Sequence, residues 1–280
     1  MSPKWIIARL TFREATRRRI VLTALVLGMG FLIIYSIGFH LINNQVSTVN
    51  RDAVSQVSRN EGFNFLFLAG LYAVAFLSVA MGALLGVDTL AGEISSGTVQ
   101  TVVTKPIQRG DVVVGKWLGY ASLLGLYLIM MAGGIIASVW LQSRYAAQHM
   151  LQGVGLIYFE SLIIMTIALL CSSRLSALAA GGVVFGLYGL SFIGGWVEQL
   201  GSILHSSTAV DVGIVTSLII PSEAMWRRAA YEMQSPLSGL LNMSPFGTTS
   251  VPSALMIVYA GVYVVAALIL TMRIFTQRDL

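Results

Sequence analysis

The chain has 280 residues, 56% of them hydrophobic and only 10% charged, with a formal net charge of +5. Soluble domains carry about 25% charged residues, so this composition, with a mean hydropathy of +0.81, argues against a soluble enzyme and for an integral membrane protein. The single cysteine, Cys171, excludes an internal disulfide framework and a CxxC redox or metal pair. The basic excess flanks apolar runs as an orientation signal and forms no groove for nucleic acid.

Residues 3–19 read as an interfacial helix. Ser2 and Pro3 suit an N-cap and a first helical position. Arg9, Arg13 and Arg17 recur at i, i+4 and i+8, while Trp5, Ile6, Ile7, Leu10 and Phe12 supply apolar surface. Such a segment lies on a bilayer with its basic side toward anionic headgroups; the alternative is a flanking basic tail without fixed structure. The run that follows, Ile20 to Ile42, has 23 residues, too long for the roughly 7–15-residue apolar core of a secretory signal, and reads as a retained span.

Six spans are expected, at 20–42, 64–87, 117–141, 154–173, 177–196 and 253–272. Each is close to the roughly 20 residues a bilayer-crossing helix needs. None shows the two-residue alternation of a barrel strand, and hydrocarbon demands that backbone groups pair within the segment, so the fold class is all-α. One transmembrane domain over 1–280 is expected. Glycines inside the spans, including Gly133, Gly134, Gly182 and Gly186, would let helix backbones approach closely.

Counting Lys and Arg on alternate sides of six spans puts twelve of the seventeen with the N-terminus and leaves Arg51, Arg59, Arg144, Arg227 and Arg228 opposite. Both termini are therefore expected in the cytoplasm of a multi-pass cell-membrane protein. Arg227 and Arg228 are the misfit, in a long outer connection at 197–252 that is too long to be a structureless loop. Within it Val212 to Ile220 is apolar and closed by Pro221. Ser222 can then cap an amphipathic helix EAMWRRAAYEMQ with Glu223 in its first turn. A re-entrant or surface hairpin fits this pattern, and so does an additional span that inverts the C-terminal half.

No set of residues points to catalysis or metal binding. His40, His149 and His205 stand apart with no ligand-type residue at i+3 or i+4; Ser191 and His205 would have to meet across elements to act as a protease pair. GDVVVGK at Gly110 to Lys116 satisfies the first seven places of a phosphate-binding loop, but Trp117 stands where Ser or Thr must hold Mg²⁺. Glu160 is the one ionisable residue well inside an expected span, which marks it as a possible pathway residue. It starts about 9 Å into its helix at 1.5 Å per residue, so an outer-rim role stays open.

The segment 88–116 is the polar island of the chain. Ser95, Ser96 and Thr98 can cap a short helix at 94–105; Val99, Val102 and Val103 share a face; Pro106 stops it. Glu93, Lys105 and Arg109 form its charged rim, and a second helix start at Gly110-Asp111 feeds the third span.

These residues resemble the type-2 ATP-binding-cassette (ABC) exporter permeases. The likeness is carried by Glu93, Gly97 and Thr98 as E-x3-G-T, Lys105, Pro106 and Arg109 as K-P-x2-R, and Gly115-Lys116 before a span. Its nearest flavour is that of small single-domain bacterial permeases such as the membrane subunits of nitrous-oxide-reductase maturation exporters. The resemblance implies a half-transporter in the bacterial inner membrane: two permease copies, or a copy and a homologue, with two cytosolic ATPase subunits that bind the ATP and Mg. It makes 94–105 the coupling helix, anchored by Glu93. A membrane scaffold or sensor that binds a cytosolic partner without transport is the alternative. The apolar spans suit a hydrophobic or amphipathic cargo, though lipid and helix packing demand the same side chains.

Overall fold

The computed structural model describes residues 3–47, 53–95, 109–235 and 250–277, and among these the chain is helical throughout, with no strand. The helices are α1 (Pro3–Ala15), α2 (Arg19–Ser47), α3 (Ala53–Ser95), α4 (Arg109–Ser143), α5 (Met150–Ser172), α6 (Ala177–Ile203), α7 (Ser207–Ile219), α8 (Ser222–Met233) and α9 (Ala254–Thr276). Six are long and apolar enough to cross a membrane: α2, α3, α4, α5, α6 and α9. They overlap the six spans expected from sequence; α3 runs eleven residues before and eight beyond its expected span and α4 begins eight residues early, while the other ends differ by at most seven residues.

The middle of the bundle is α3 and α5, whose most apolar stretches are each 61% buried, against 11% for α2 and 22% for α9. Small residues allow that central pairing. A Cβ on Gly86 would stand 2.5 Å from Ala168 Cβ and 2.8 Å from the Met165 carbonyl, and one on Gly82 3.1 Å from the Ser161 carbonyl. The two glycines are four residues apart on one face of α3, so the backbones of α3 and α5 touch along a full turn. Of the glycines singled out in the sequence, Gly134 accommodates Leu32, whereas Gly133, Gly182 and Gly186 have nothing within 4 Å among the described residues.

Two cores flank this axis. Phe67, Leu71, Leu124, Leu128, Met131 and Trp226 belong to one, and Ile163, Ile164, Val184, Ile220, Met225 and Val264 to the other. One end of the bundle, here the basic end, gathers α1, the starts of α2 and α4 and the ends of α3 and α9: Arg18 meets Asp88, Lys4 meets Asp111, and Val113 packs on Phe275. The opposite end carries the α4–α5 turn and the α7–α8 pair.

The α7–α8 pair resolves the long connection. The two helices meet at 110°. Gly201 packs against Ala209 near the far end, and Gly194, two turns deeper, packs against Thr216, so α7 runs back alongside α6 into the bundle. α8 starts beside Ser191 and Gly195 and ends at the far end, where Asn64 Nδ2 donates to the Met233 carbonyl at 3.1 Å. The pair enters and leaves on one side, a re-entrant hairpin; the inverting extra span is not formed. α9 then crosses to the basic end, so α1 and the end of α9 share a side.

Two local expectations change. The helix expected over 3–19 stops at Ala15 and a turn through Arg18 redirects the chain into α2, with Arg18 N–H bonded to the Ala15 carbonyl at 3.0 Å. Ser222 does not cap α8: Pro221 is the residue before its first turn, with no side-chain cap, and Ser222 Oγ bonds Ser191 Oγ at 3.0 Å instead.

Candidate functional site

At the basic end the sequence places glycine where two helices must touch. A Cβ on Gly115 would lie 2.7 Å from Ile7 Cβ and 2.9 Å from the Lys4 carbonyl; one on Gly119 would lie 2.7 Å from the Ala8 carbonyl and 2.8 Å from Thr11 Cβ. α1 therefore rests backbone-first on the second and third turns of α4. Ala8, Thr11 and Ala15 are its buried face, and Trp5, Ile6 and Leu10 are left exposed. Lys4 Nζ stands 3.4 Å from Asp111 in the first turn of α4, where a carboxylate also suits the helix dipole.

Arg18 ties the neighbouring helices. It donates to Asp88 at 2.9 Å, near the end of α3, and to Glu14 at 2.7 Å in α1. Hydrogen bonding to Glu14 and the nearby negative groups hold its guanidinium above its ordinary pKa, although its burial alone would lower it. Segment 96–108 thus leaves a helix pinned through Asp88 and re-enters one pinned through Asp111 and the two glycines.

Of the residues expected here, Glu93 lies in the last turn of α3 and Arg109 opens α4, while Gly97, Thr98, Val99, Val102, Val103, Lys105 and Pro106 fall outside the described residues. Ser95 is the last residue of α3, inside that helix and not before a new one. Lys116 is buried within α4. Gly110 to Lys116 forms the opening turns of α4, so its amides from Val113 onward pair along the helix and do not face a phosphate. Trp117, the residue that broke the phosphate-loop pattern, donates its indole N–H to Thr166 Oγ1 at 2.9 Å and links α4 to α5. Of the interfacial-helix set, Trp5, Arg9 and Arg13 lie exposed on α1 and Arg17 lies exposed in the turn after it.

Glu160 is 1% exposed and lies ten residues into α5, packed within the bundle. Glu223, also buried, sits at the start of α8. Each has one carboxylate oxygen without a hydrogen-bond partner. Tyr72 packs on Trp226 with ring centroids 4.8 Å apart.

Sequence reasoning missed the polar network that holds the hairpin. Arg227 pairs with Glu198 of α6 and donates to Ser217 Oγ of α7 at 3.1 Å. Ser250 Oγ donates to Glu198 at 2.6 Å. Ser191 Oγ donates to the Ile220 carbonyl at 3.0 Å and accepts the Glu223 N–H at 3.3 Å, satisfying backbone groups at the hairpin's apex. Arg228, the other misfit, bonds Glu232 at 2.7 Å and the Pro252 carbonyl at 3.3 Å and lies over the Tyr231 ring. The available signal was the need of Arg227 for a buried counter-charge: α6 carries a single acid, Glu198. His205 sits in the α6–α7 turn, nearly four helical turns beyond Ser191, so the two do not meet as a serine–histidine pair.

Comparison with known proteins agrees with this architecture. A profile described as ABC-2 family transporter protein matches residues 5–280. The chain is 28% identical over 197 residues to the Probable ABC transporter permease protein NosY of Pseudomonas aeruginosa, covering 67% of this chain and 66% of that protein. It is 26% identical over 133 residues to the protein of the same name in Stutzerimonas stutzeri, covering 46% and 43%. The chain thus spans just under two thirds of the first relative's length and less than half of the second's. With six spans, a re-entrant hairpin and a family match over nearly its whole length, the chain belongs to the ABC-2 family of transporter proteins as a multi-pass membrane member.

Proposed function

We propose that this chain is the permease subunit of an ATP-driven ABC exporter. In this reading it forms the translocation pathway and takes its driving force from separate cytosolic ATPase subunits that bind ATP and Mg. Two permease copies, or one copy and a homologue, work with two ATPases in a bacterial inner membrane. The basic end faces the cytoplasm, and both termini lie there.

One observation supports the coupling reading: the helices on both sides of 96–108 contact their neighbours close to it. α3 is tied through Asp88 to Arg18, and α4 is clamped by α1 at Gly115 and Gly119. Packed helices are bistable and do not deform smoothly, so a displacement of 96–108 by an ATPase would pass directly into α3, α4 and, through the Gly82–Gly86 contact, α5. Glu93 would anchor the segment, with Val99, Val102 and Val103 against the ATPase. Glu160, inside the bundle, is the proposed pathway residue.

The test is copurification with a cytosolic ABC ATPase from the same organism, and measurement of its ATP hydrolysis in nanodiscs. Joint replacement of Glu93, Val99 and Val102 by Ala should abolish ATPase binding or stimulation while the permease still purifies as a folded bundle. Retention of both would remove the coupling assignment and leave a scaffold or sensor that does not transport.

A further inference from the structure

The helix that rests on α4 turns its small residues to the bundle and its large apolar ones away. Ala8, Thr11 and Ala15 are the buried face of α1, whereas Trp5, Ile6 and Leu10 are 63%, 50% and 60% exposed. At about 100° per residue, Trp5, Arg9, Arg13, Ile6 and Leu10 share one sector roughly opposite the buried three. Arg9 and Arg13 are exposed one turn apart within it, Arg17 is exposed in the turn that follows, and Arg19 is exposed at the start of α2. Basic and apolar side chains are therefore interleaved on one outward face and not segregated to two.

The acids nearby are engaged elsewhere. Asp111 pairs with Lys4, and Glu14 and Asp88 both pair with Arg18. Arg9, Arg13, Arg17 and Arg19 have no carboxylate in ion-pair range among the described residues. The level of α1 decides what they meet. It touches α4 at Gly115 and Gly119, where the third span begins, and Arg19 opens the first span. At this boundary of hydrocarbon and headgroups Trp5, Ile6 and Leu10 reach acyl chains, and the arginines, on long apolar stems, lift their charge to the phosphate layer. Unpaired guanidinium groups select an anion, and phosphate fits their fork; the interleaved apolar side chains select an anion that carries acyl chains.

We infer that anionic phospholipids bind this outward face, headgroup phosphates on Arg9, Arg13 and Arg17 and acyl chains against Trp5, Ile6 and Leu10, and so regulate how firmly α1 sits on α4. Membrane charge then loads the contact at Gly115 and Gly119. The inference rests on the exposure of α1 and not on the ATPase-coupling reading, so either can fail without the other.

The experiment uses the full-length chain in nanodiscs of equimolar phosphatidylglycerol and phosphatidylcholine with matched chains, in which one lipid or the other has brominated acyl chains. The difference in fluorescence between the wild type and Trp5→Phe isolates Trp5. One basic residue near an anionic surface is worth about a fivefold enrichment, so brominated phosphatidylglycerol should quench Trp5 severalfold more than brominated phosphatidylcholine. Joint replacement Arg9→Gln, Arg13→Gln and Arg17→Gln, all at exposed positions, should leave the bundle folded and make the two lipids quench equally. Hydrogen exchange of residues 3–15 should be about tenfold slower with phosphatidylglycerol than in pure phosphatidylcholine, and the difference should vanish in the triple variant and shrink in high salt. Inorganic phosphate added to pure phosphatidylcholine nanodiscs at matched ionic strength should not slow exchange; if it does, the site takes free phosphate and the lipid assignment is wrong. Equal quenching by the two lipids in the wild type, or a phosphatidylglycerol preference that survives the triple replacement, would overturn the binding surface. Exchange that ignores headgroup charge would overturn its regulation of the α1–α4 contact.

Discussion

Gly119→Ala is the most informative single change at the basic end. Its added methyl would stand 2.7 Å from the Ala8 carbonyl oxygen and 2.8 Å from Thr11 Cβ. The first neighbour is backbone, so it moves only if α1 moves. Overpacking of this kind costs about 1–3 kcal/mol, while Ala in place of Gly returns about 1 kcal/mol of helix propensity to α4. α4 itself is therefore not expected to unfold. The other tie between the two helices, Lys4–Asp111, has side chains 48% and 18% exposed and is worth less than about 1 kcal/mol. The strain is comparable with what holds α1 in place, so α1 should lift while the bundle stays intact. Hydrogen exchange in nanodiscs would read this as amides of residues 3–15 exchanging about tenfold faster, for an opening free energy lowered by about 1.4 kcal/mol, with α4 and α5 unchanged. If exchange in α1 is the same in wild type and variant, the close contact does not hold α1 and the clamp argument is wrong.

Gly86→Leu should prevent accumulation of folded protein, because a side chain there meets both Ala168 and the backbone of α5; monodisperse elution at wild-type yield would contradict the central α3–α5 contact. Arg227→Ala should cost about 3–5 kcal/mol, since it strands Glu198 without its counter-ion. Arg227→Met combined with Glu198→Met should cost much less, and equal loss of melting temperature in the two would argue against the pair. Arg18→Gln should lower the melting temperature by no more than a few degrees, because Glu14 and Asp88 are 59% and 46% exposed and such pairs are worth about 1 kcal/mol or less; the difference should shrink in high salt. Glu160→Gln keeps the shape of a buried group while removing any charge, so the melting temperature should hold or rise. A large fall would mean that the carboxylate has a structural partner.

The spans were legible because bilayer thickness fixes a length and hydrocarbon fixes a composition, two properties a linear sequence displays directly. α2, α3, α4, α5, α6 and α9 were each found for that reason. The apolar run closed by Pro221 and the amphipathic stretch after it were legible as two short helices, but whether they cross or return depends on what α8 packs against. That was decided by Gly195 and Ser191 on one side and Asn64 on the other, contacts between residues up to 169 apart in sequence. The excess of glycine announced close helix contacts without naming them: Gly82, Gly86, Gly115 and Gly119 make them, whereas Gly182 and Gly186 make none among the described residues.

Composition and periodicity alone determined an all-helical membrane protein with six spans, a basic N-terminal helix and a polar segment between the second and third spans. These follow from local physics, the cost of an unpaired backbone group or a charge in hydrocarbon. Only the tertiary structure decided that α1 clamps α4, that Glu160 faces inward, and that the misfit Arg227 closes on Glu198 across the hairpin. Each of these depends on which faces of distant helices meet. Turning a helix by one residue swings its face by about 100°, and single-residue hydrophobicity carries almost no information about that rotation when nearly every face is apolar.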